Sequence, residues 1–443
     1  MLAFKTILLG LVFGLAPIRL TVSPPVVSVR VLVDGAQVST LHGEPWEFVW
    51  NFGQAPLPHE LEVVGLNAGG REVARDRQWV NVPRPGAEAS VVVTRGDRGA
   101  VARLSWDTVE GLKPRRFVVH LDGRDVPVSN PDRIILPGVD MSKSHLLIAE
   151  VRFAKGVVAH AQCSFGGGVE AGTESELTAV PVVLRPGREL PPVKAMQDWF
   201  ESGGKPLRVV GVEKGYSDVV AVFDLDCVHR FTGITPDNRT SAILRYTIPL
   251  QPSEGGDRLY GMWGVPQRAK VEHDEARAIF PISFAMDLDV DTFRALMFHW
   301  PTPAANKGAG MLANAVATAG MQASSLNRRR AVVLFVCDAS PDASTISVEA
   351  ARAYLEALDV PLFVWTPDAR VAERELPGWG RAEDASTDLQ LLGAVSRLQR
   401  ALDAQRIVWV DGLHLPQSIG LTPGLKPVFI ARGVVRQAPP TPR

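Results

Sequence analysis

The strongest constraint in this chain is an internal repeat. Val31-Leu32-Val33-Asp34-Gly35-Ala36-Gln37-Val38 is similar to Val119-His120-Leu121-Asp122-Gly123-Arg124-Asp125-Val126, 88 residues later. The run from His59 is similar to the run from His145, at an offset of 86. A near-constant offset over two separated blocks marks a duplicated domain. Short Val-rich segments at 26–33, 59–65, 72–81 and 88–94 are separated by Gly, Pro, Asn and Asp, as strands and turns are. Asp34-Gly35 and Asp122-Gly123 lie between apolar runs, and Asp-Gly favours the positive φ of a tight hairpin. Each copy has the size and strand count of an immunoglobulin-like sandwich. The expected modules are 24–95 and 98–184.

Ahead of the repeat, Lys5 precedes an apolar run from Ile7 to Ala16 that ends in Gly14-Leu15-Ala16. A basic end, a short apolar run and small residues make the pattern of a secretory signal peptide, here assigned to 1–20. Export to the periplasm or medium is the expected localisation. The run is shorter than the roughly 20 residues that a spanning helix needs, and no later segment supplies one. With 47 Lys and Arg against 48 Asp and Glu, the chain has no basic excess with which to hold a nucleic acid. Three Cys in 443 residues make no disulfide scaffold.

Residues 185–206 carry four Pro and three Gly and read as a linker. From Leu207 the pattern alternates. Strands are expected at Val219–Asp224, Ile279–Met286, Ala331–Cys337, Pro361–Trp365 and Arg406–Val410. Helices are expected at Thr292–Trp300, Gly310–Leu326, Ser347–Leu358 and Leu389–Ala404, the last with a stripe of Leu389, Leu392, Val395, Leu398 and Leu402. Such alternation predicts a parallel sheet with helices on both faces, and ligands outside its carboxyl edge. Two strands end in acids there, Asp224 and Asp226 on one, Asp338 and Asp342 on the other. Carboxylates converging at two such ends are what a hard cation such as Mg²⁺ takes. A strand–turn junction, which Asp also favours, is the plainer reading of each alone.

The segments SDVVAVFDLD, RRRAVVLFVCDASPDAST, SVEAARAYLEAL with VPLFVWTPD, and AQRIVWVDGLHLPQSI resemble the VWFA-related family. These are bacterial exported proteins with a von Willebrand factor type A-like domain. The resemblance covers nearly all the chain after residue 25. It implies two all-β immunoglobulin-like sandwiches followed by an α/β doubly wound von Willebrand factor type A-like domain over 207–436. The family's metal motif is degenerate. Asp224 and Asp338 hold its two Asp positions, but Asp226 and Val228 stand at the Ser positions and Gly310 at the Thr position. The residues left to hold a metal are Asp224, Asp226 and Asp338; loss of the ion with retention of the fold is expected, and no cofactor.

The function that follows is a non-enzymatic, adhesion-type protein that presents its last domain to a protein partner. The alternative is a Mg²⁺-dependent phosphohydrolase, because VFDLDCV also resembles the first motif of haloacid-dehalogenase-like enzymes. There Asp224 would be nucleophile and Asp226 general acid, with Asp338 and Asp342 as the late acidic pair. A motif lysine is missing; Lys270 and Lys307 are the candidates. His273-Asp274-Glu275 reads as a solvated turn, and the GAG at 308–310 is only a weak phosphate loop. If the strands ending at Asp224 and Asp338 are neighbours, Cys227 and Cys337 fall within bridging distance. A disulfide and two unpaired buried thiols are both open, with Cys163 free in either case.

Overall fold

The computed structural model describes residues 1–8, 10–83, 87–96, 99–108, 113–153, 158–167, 177–227, 256–269, 277–299, 310–337, 342–424 and 427–431. Seven strands make the first unit: β1 (Leu2–Phe4), β2 (Leu15–Val22), β3 (Ser28–Val33), β4 (Ala36–Leu41), β5 (Glu47–Asn51), β6 (His59–Leu66) and β7 (Glu72–Val80). They form two sheets, β1-β2-β5 and β4-β3-β6-β7, around Ile18, Val29, Val31, Leu61 and Val63. The second unit has β8 (Ala87–Gly96), β9 (Gly99–Thr108), β10 (Pro114–Leu121), β11 (Arg124–Val126), β12 (Ile134–Leu136), β13 (His145–Phe153) and β14 (Val158–Phe165). Its sheets are β8-β9-β12 and β11-β10-β13-β14. A shift of seven strands turns one order into the other. Both are seven-stranded, immunoglobulin-like β-sandwiches, with Asp34-Gly35 and Asp122-Gly123 turning at the same place, each Asp at φ near +50° (51° and 50°).

The repeat therefore begins at β1 rather than at residue 24, and its boundary lies before β8, so the expected limits 24–95 and 98–184 shift. Residues 1–20, read from sequence as a leader, lie within the first unit. Leu2, Ile18 and Leu20 are buried in its core. The backbone N–H groups of Phe4, Leu8 and Val12 donate to Asp76 Oδ2 (2.8 Å), Gln78 Oε1 (2.8 Å) and Asn81 Oδ1 (2.7 Å). The apolar residues that give this stretch the pattern of a leader serve equally to pack an edge strand, a connecting segment and the start of β2 against a sandwich core, and composition does not separate the two.

The rest of the chain contains β15 (Leu177–Leu184), β16 (Phe200–Ser202), β17 (Lys205–Leu207), β18 (Val209–Glu213), β19 (Ser217–Phe223), β20 (Arg258–Trp263), β21 (Gln267–Ala269), β22 (Arg277–Ile279) and β23 (Met286–Asp287). After them come β24 (Arg329–Phe335), β25 (Leu362–Thr366), β26 (Glu375–Leu376), β27 (Gly380–Arg381), β28 (Glu383–Asp384), β29 (Gln405–Asp411), β30 (Ile419–Leu421) and β31 (Val428–Ile430). The helices are α1 (Val290–His299), α2 (Leu312–Ser324), α3 (Val348–Ala357), α4 (Ala369–Ala372) and α5 (Asp388–Asp403). A third β-unit pairs the antiparallel sheet β18-β29-β15-β31 with the sheet β17-β16-β30, closed around Val180, Phe200, Val209 and Val408. Between its strands β18 and β29 the chain inserts a mixed sheet, β23-β20-β19-β24-β25-β28. On that sheet α2 and α3 cover one face, and α1 and α5 the other.

The fold class expected from sequence is thus corrected. The chain does not run as two sandwiches followed by a doubly wound type A-like domain over 207–436. Among the described residues it is mostly β, in nine sheets, with five α-helices of 4 to 16 residues. Arg406–Val410, expected to close a parallel sheet, lies antiparallel to β15, with Ala179 opposite Trp409. Its neighbours, β15 and β18, both precede the inserted sheet in the chain, so β29 returns to the third unit rather than extending that sheet. The strand expected at Ile279–Met286 does not form over that span, while Arg258–Trp263 does pair with β19. In α5 the buried stripe is Leu391, Val395, Leu398 and Leu402, and Leu389 and Leu392 are exposed.

Candidate functional site

Asp224 and Asp226 follow the carboxyl end of β19, which pairs in parallel register with β24, Phe223 opposite Phe335. Asp224 is buried, and its backbone N–H donates to Phe335 O (3.0 Å). Asp226 falls in a short 3₁₀ turn, Leu225–Cys227. Asp338 and Val228 lie outside the described residues, as do Lys270, Lys307, Gly308 and His273-Asp274-Glu275. Asp342 has a different role from the one the phosphohydrolase reading gave it. Its carboxylate accepts the backbone N–H groups of Leu312 (2.8 Å) and Ala313 (3.0 Å), capping α2 from outside, and also binds Ser344 Oγ (2.7 Å). Among the described residues no group of three His, Cys, Asp or Glu could hold a metal.

What joins the two strand ends is covalent. Cys227 and Cys337 form a disulfide with Cα atoms 5.2 Å apart, and Cys163 is free and buried. The bridge sits over stacked aromatics, Phe223 and Phe335 at 4.9 Å, with Trp365 edge-on to Phe335 at 5.4 Å.

A large cavity among the described residues lies elsewhere, at the opposite, amino-terminal edge of the inserted sheet. A crevice of about 1170 Å³ lies between the outward face of β10, β13 and β14 and the strand β18. Alternation in β13 sends Leu147, Ala149 and Val151 inward and Leu146, Ile148 and Glu150 toward the crevice. Leu146 and Ile148 pack on Val210, Ile407 and Trp409, fastening the second unit to the third. Gly211 lets the two units approach closely there, since a Cβ would fall 2.4 Å from Leu146 Cδ2 and displace that side chain.

Beneath the crevice lies a buried charge cluster. Arg328 Nη2 donates to Glu150 Oε2 and, at 3.0 Å, to His160 Nε2. Arg152 Nε donates to Glu150 Oε1 (2.5 Å), and Arg258 Nη2 stands 3.6 Å from the same oxygen. Burial alone would raise the Glu150 pKa, but Arg328, His160, Arg152 and Arg258 hold it down at about 2. Burial, and then Arg328, depress His160 to about 3, so its ring is neutral and accepts from the guanidinium. Asp218 stands 3.9 Å from Arg328 Nε, and its pKa is raised by burial. Three guanidinium groups thus surround one firmly ionised carboxylate. On the crevice wall Glu213 accepts from Trp409 Nε1 (3.1 Å), and burial pushes its pKa up to about 7.

The sequence reading did not find this cluster. Its signals were Glu150 inside an otherwise apolar strand and the run Arg328-Arg329-Arg330 immediately before AVVLF. Their meeting depends on how two separate units pack, which periodicity does not encode.

No protein-family model matches the chain, and no curated protein does. Solved structures give partial likenesses. Fibronectin(III)-like modules of Clostridium thermocellum CbhA are 20% identical, covering 18% of this chain and 92% of that one, at a TM-score of 0.16. The central fibronectin-III array of RIM-binding protein is 15% identical, covering 44% and 82%, at 0.20. SGBP-B of the Bacteroides ovatus mixed-linkage glucan utilization locus, solved with a mixed-linkage heptasaccharide, is 16% identical, covering 34% and 40%, at 0.12. At these values none bears on what this chain does. No described helix is long and apolar enough to cross a membrane.

Proposed function

We propose that this chain is a non-enzymatic interaction protein of an oxidising compartment, its first strands kept as part of the fold, whose β-units hold an open crevice for a protein partner. The observation that carries the reading is the crevice itself, large and bounded both by strands β13, β14 and β18 and by the turns that carry its exposed lysines, Lys143 and Lys214. The Asp342 cap weighs against the phosphohydrolase alternative, since that carboxylate already serves four donors. The buried Cys227–Cys337 bridge supports that location, because disulfides persist mainly in oxidising compartments. The test is photo-crosslinking from positions 143 and 216 in the native host. Discrete protein adducts at these crevice positions are expected. Absence of adducts there, or turnover of a phosphomonoester above roughly 1 s⁻¹, overturns the reading.

A further inference from the structure

We infer that the crevice takes an extended acidic segment of the partner, laid along β18; this rests on the protein-interaction reading above. One sheet edge borders the crevice, that of β18 in the third unit, whose Val209 O already accepts from Gln197 Nε2 (2.8 Å), while β14 of the second unit turns a face toward it. An edge strand presents backbone donors and acceptors to an added chain, and that is how extended peptides are commonly held. The crevice volume, about 1170 Å³, exceeds the roughly 300–1000 Å³ of ordinary small-molecule pockets.

Charge selects the kind of segment. Lys143, Lys194, Arg208 and Lys214 stand exposed on the walls, with Arg328 at the floor. The acids that pair with three of them, Asp140 (3.5 Å), Asp411 (3.1 Å) and Asp403 (2.9 Å), are not among the wall residues. Exposed pairs of this sort are worth about 0–1 kcal/mol, so an incoming carboxylate replaces such a partner at little loss. The wall acids offer little opposing charge. Glu150 lies under three guanidinium groups and Glu213 is only part ionised near neutral pH, which leaves Asp122, beside His145 at 2.7 Å, as one wall acid against four exposed cations. The resulting positive field points into the space that the edge of β18 borders.

The test measures fluorescence anisotropy of labelled peptides with the intact oxidised chain. A peptide of alternating Glu and Ser should bind at least about tenfold more tightly than its Lys–Ser or Gly–Ser counterparts, and weaken as salt rises. The double variant Lys194→Glu/Lys214→Glu changes two exposed side chains and should fold normally by circular dichroism, yet lose about tenfold or more in affinity. Equal binding of all three peptides overturns the inference, as does an unchanged affinity in the variant. Binding of a uronate oligosaccharide without binding of the Glu–Ser peptide overturns it too, and makes the crevice a glycan site. If crosslinked protein adducts form in the host while the Glu–Ser peptide fails, the interaction reading stands and the acidic-segment inference falls.

Discussion

His145 Nδ1 lies 2.7 Å from Asp122 Oδ2, and His59 Nδ1 lies 2.7 Å from Asp34 Oδ2. In each unit the other carboxylate oxygen accepts the next backbone N–H, from Leu146 or Glu60, at 2.9 Å. One Asp thus turns a hairpin and ties it to the neighbouring strand. His145 is the more buried of the two histidines and also contacts Asp140 O (3.0 Å). Asp122→Ala should therefore destabilise by about 1–3 kcal/mol, and Asp34→Ala by less. Urea unfolding of both variants decides the order; Asn, which tolerates positive φ, should recover part of the loss.

Deletion of residues 1–16 should weaken the first unit. It removes β1, buried Leu2 and the donors that meet Asp76, Gln78 and Asn81. A fully buried Leu alone contributes about 1.5–3 kcal/mol. Hydrogen exchange of β6 and β7 is the measurement, and unchanged protection in the truncated chain contradicts the packing described.

Thiol titration of the denatured, unreduced chain should find one reactive group, Cys163, and three after reduction. The bridge closes a separation of 110 residues, for which loop entropy assigns roughly 4–5 kcal/mol. Cys337→Ala should lower the denaturation midpoint accordingly.

Glu213 and His160 give stability opposite slopes with pH. The Glu213 pKa is raised from 4.5 to about 7, so the folded state binds the extra proton and stability falls as pH rises from about 4.5 to 7. Glu213→Gln keeps an acceptor for Trp409 and should be more stable than the parent above pH 7, by up to about 3 kcal/mol. The His160 pKa is depressed from 6.5 to about 3, so stability is lost as pH falls from about 6.5 to 3. His160→Gln should flatten that acid limb. Denaturation midpoints across the pH range read both effects.

Much of the β-architecture was legible because Asp-Gly turns and Val-rich runs act over few residues. The helices at 290–299, 312–324, 348–357 and 388–403 were legible because apolar spacing of three and four is likewise a short-range signal. The extent of the first unit was hidden, since the composition of Leu2–Ala16 suits a leader as well as two strands. The partner of β29 was hidden because side-chain alternation fixes a strand's faces but not its neighbours. Of the candidate site, the acids at 224 and 226 were placed at a strand end as expected, yet the charges that converge, Glu150, His160, Arg258 and Arg328, are distant in sequence. The bridge between Cys227 and Cys337 was accessible once two strands were taken as neighbours.

The third β-unit is split by the inserted sheet, and this sets an order on synthesis. Thr178 Oγ1 donates to Gly412 O, 234 residues away. As the chain emerges from the ribosome, the first two units have all their strands by Phe165 and are free to fold in turn. The third must hold β15 unpaired until β29 is translated. Its exposed Val180 and Val182 make that interval the one in which a nascent chain most needs a chaperone.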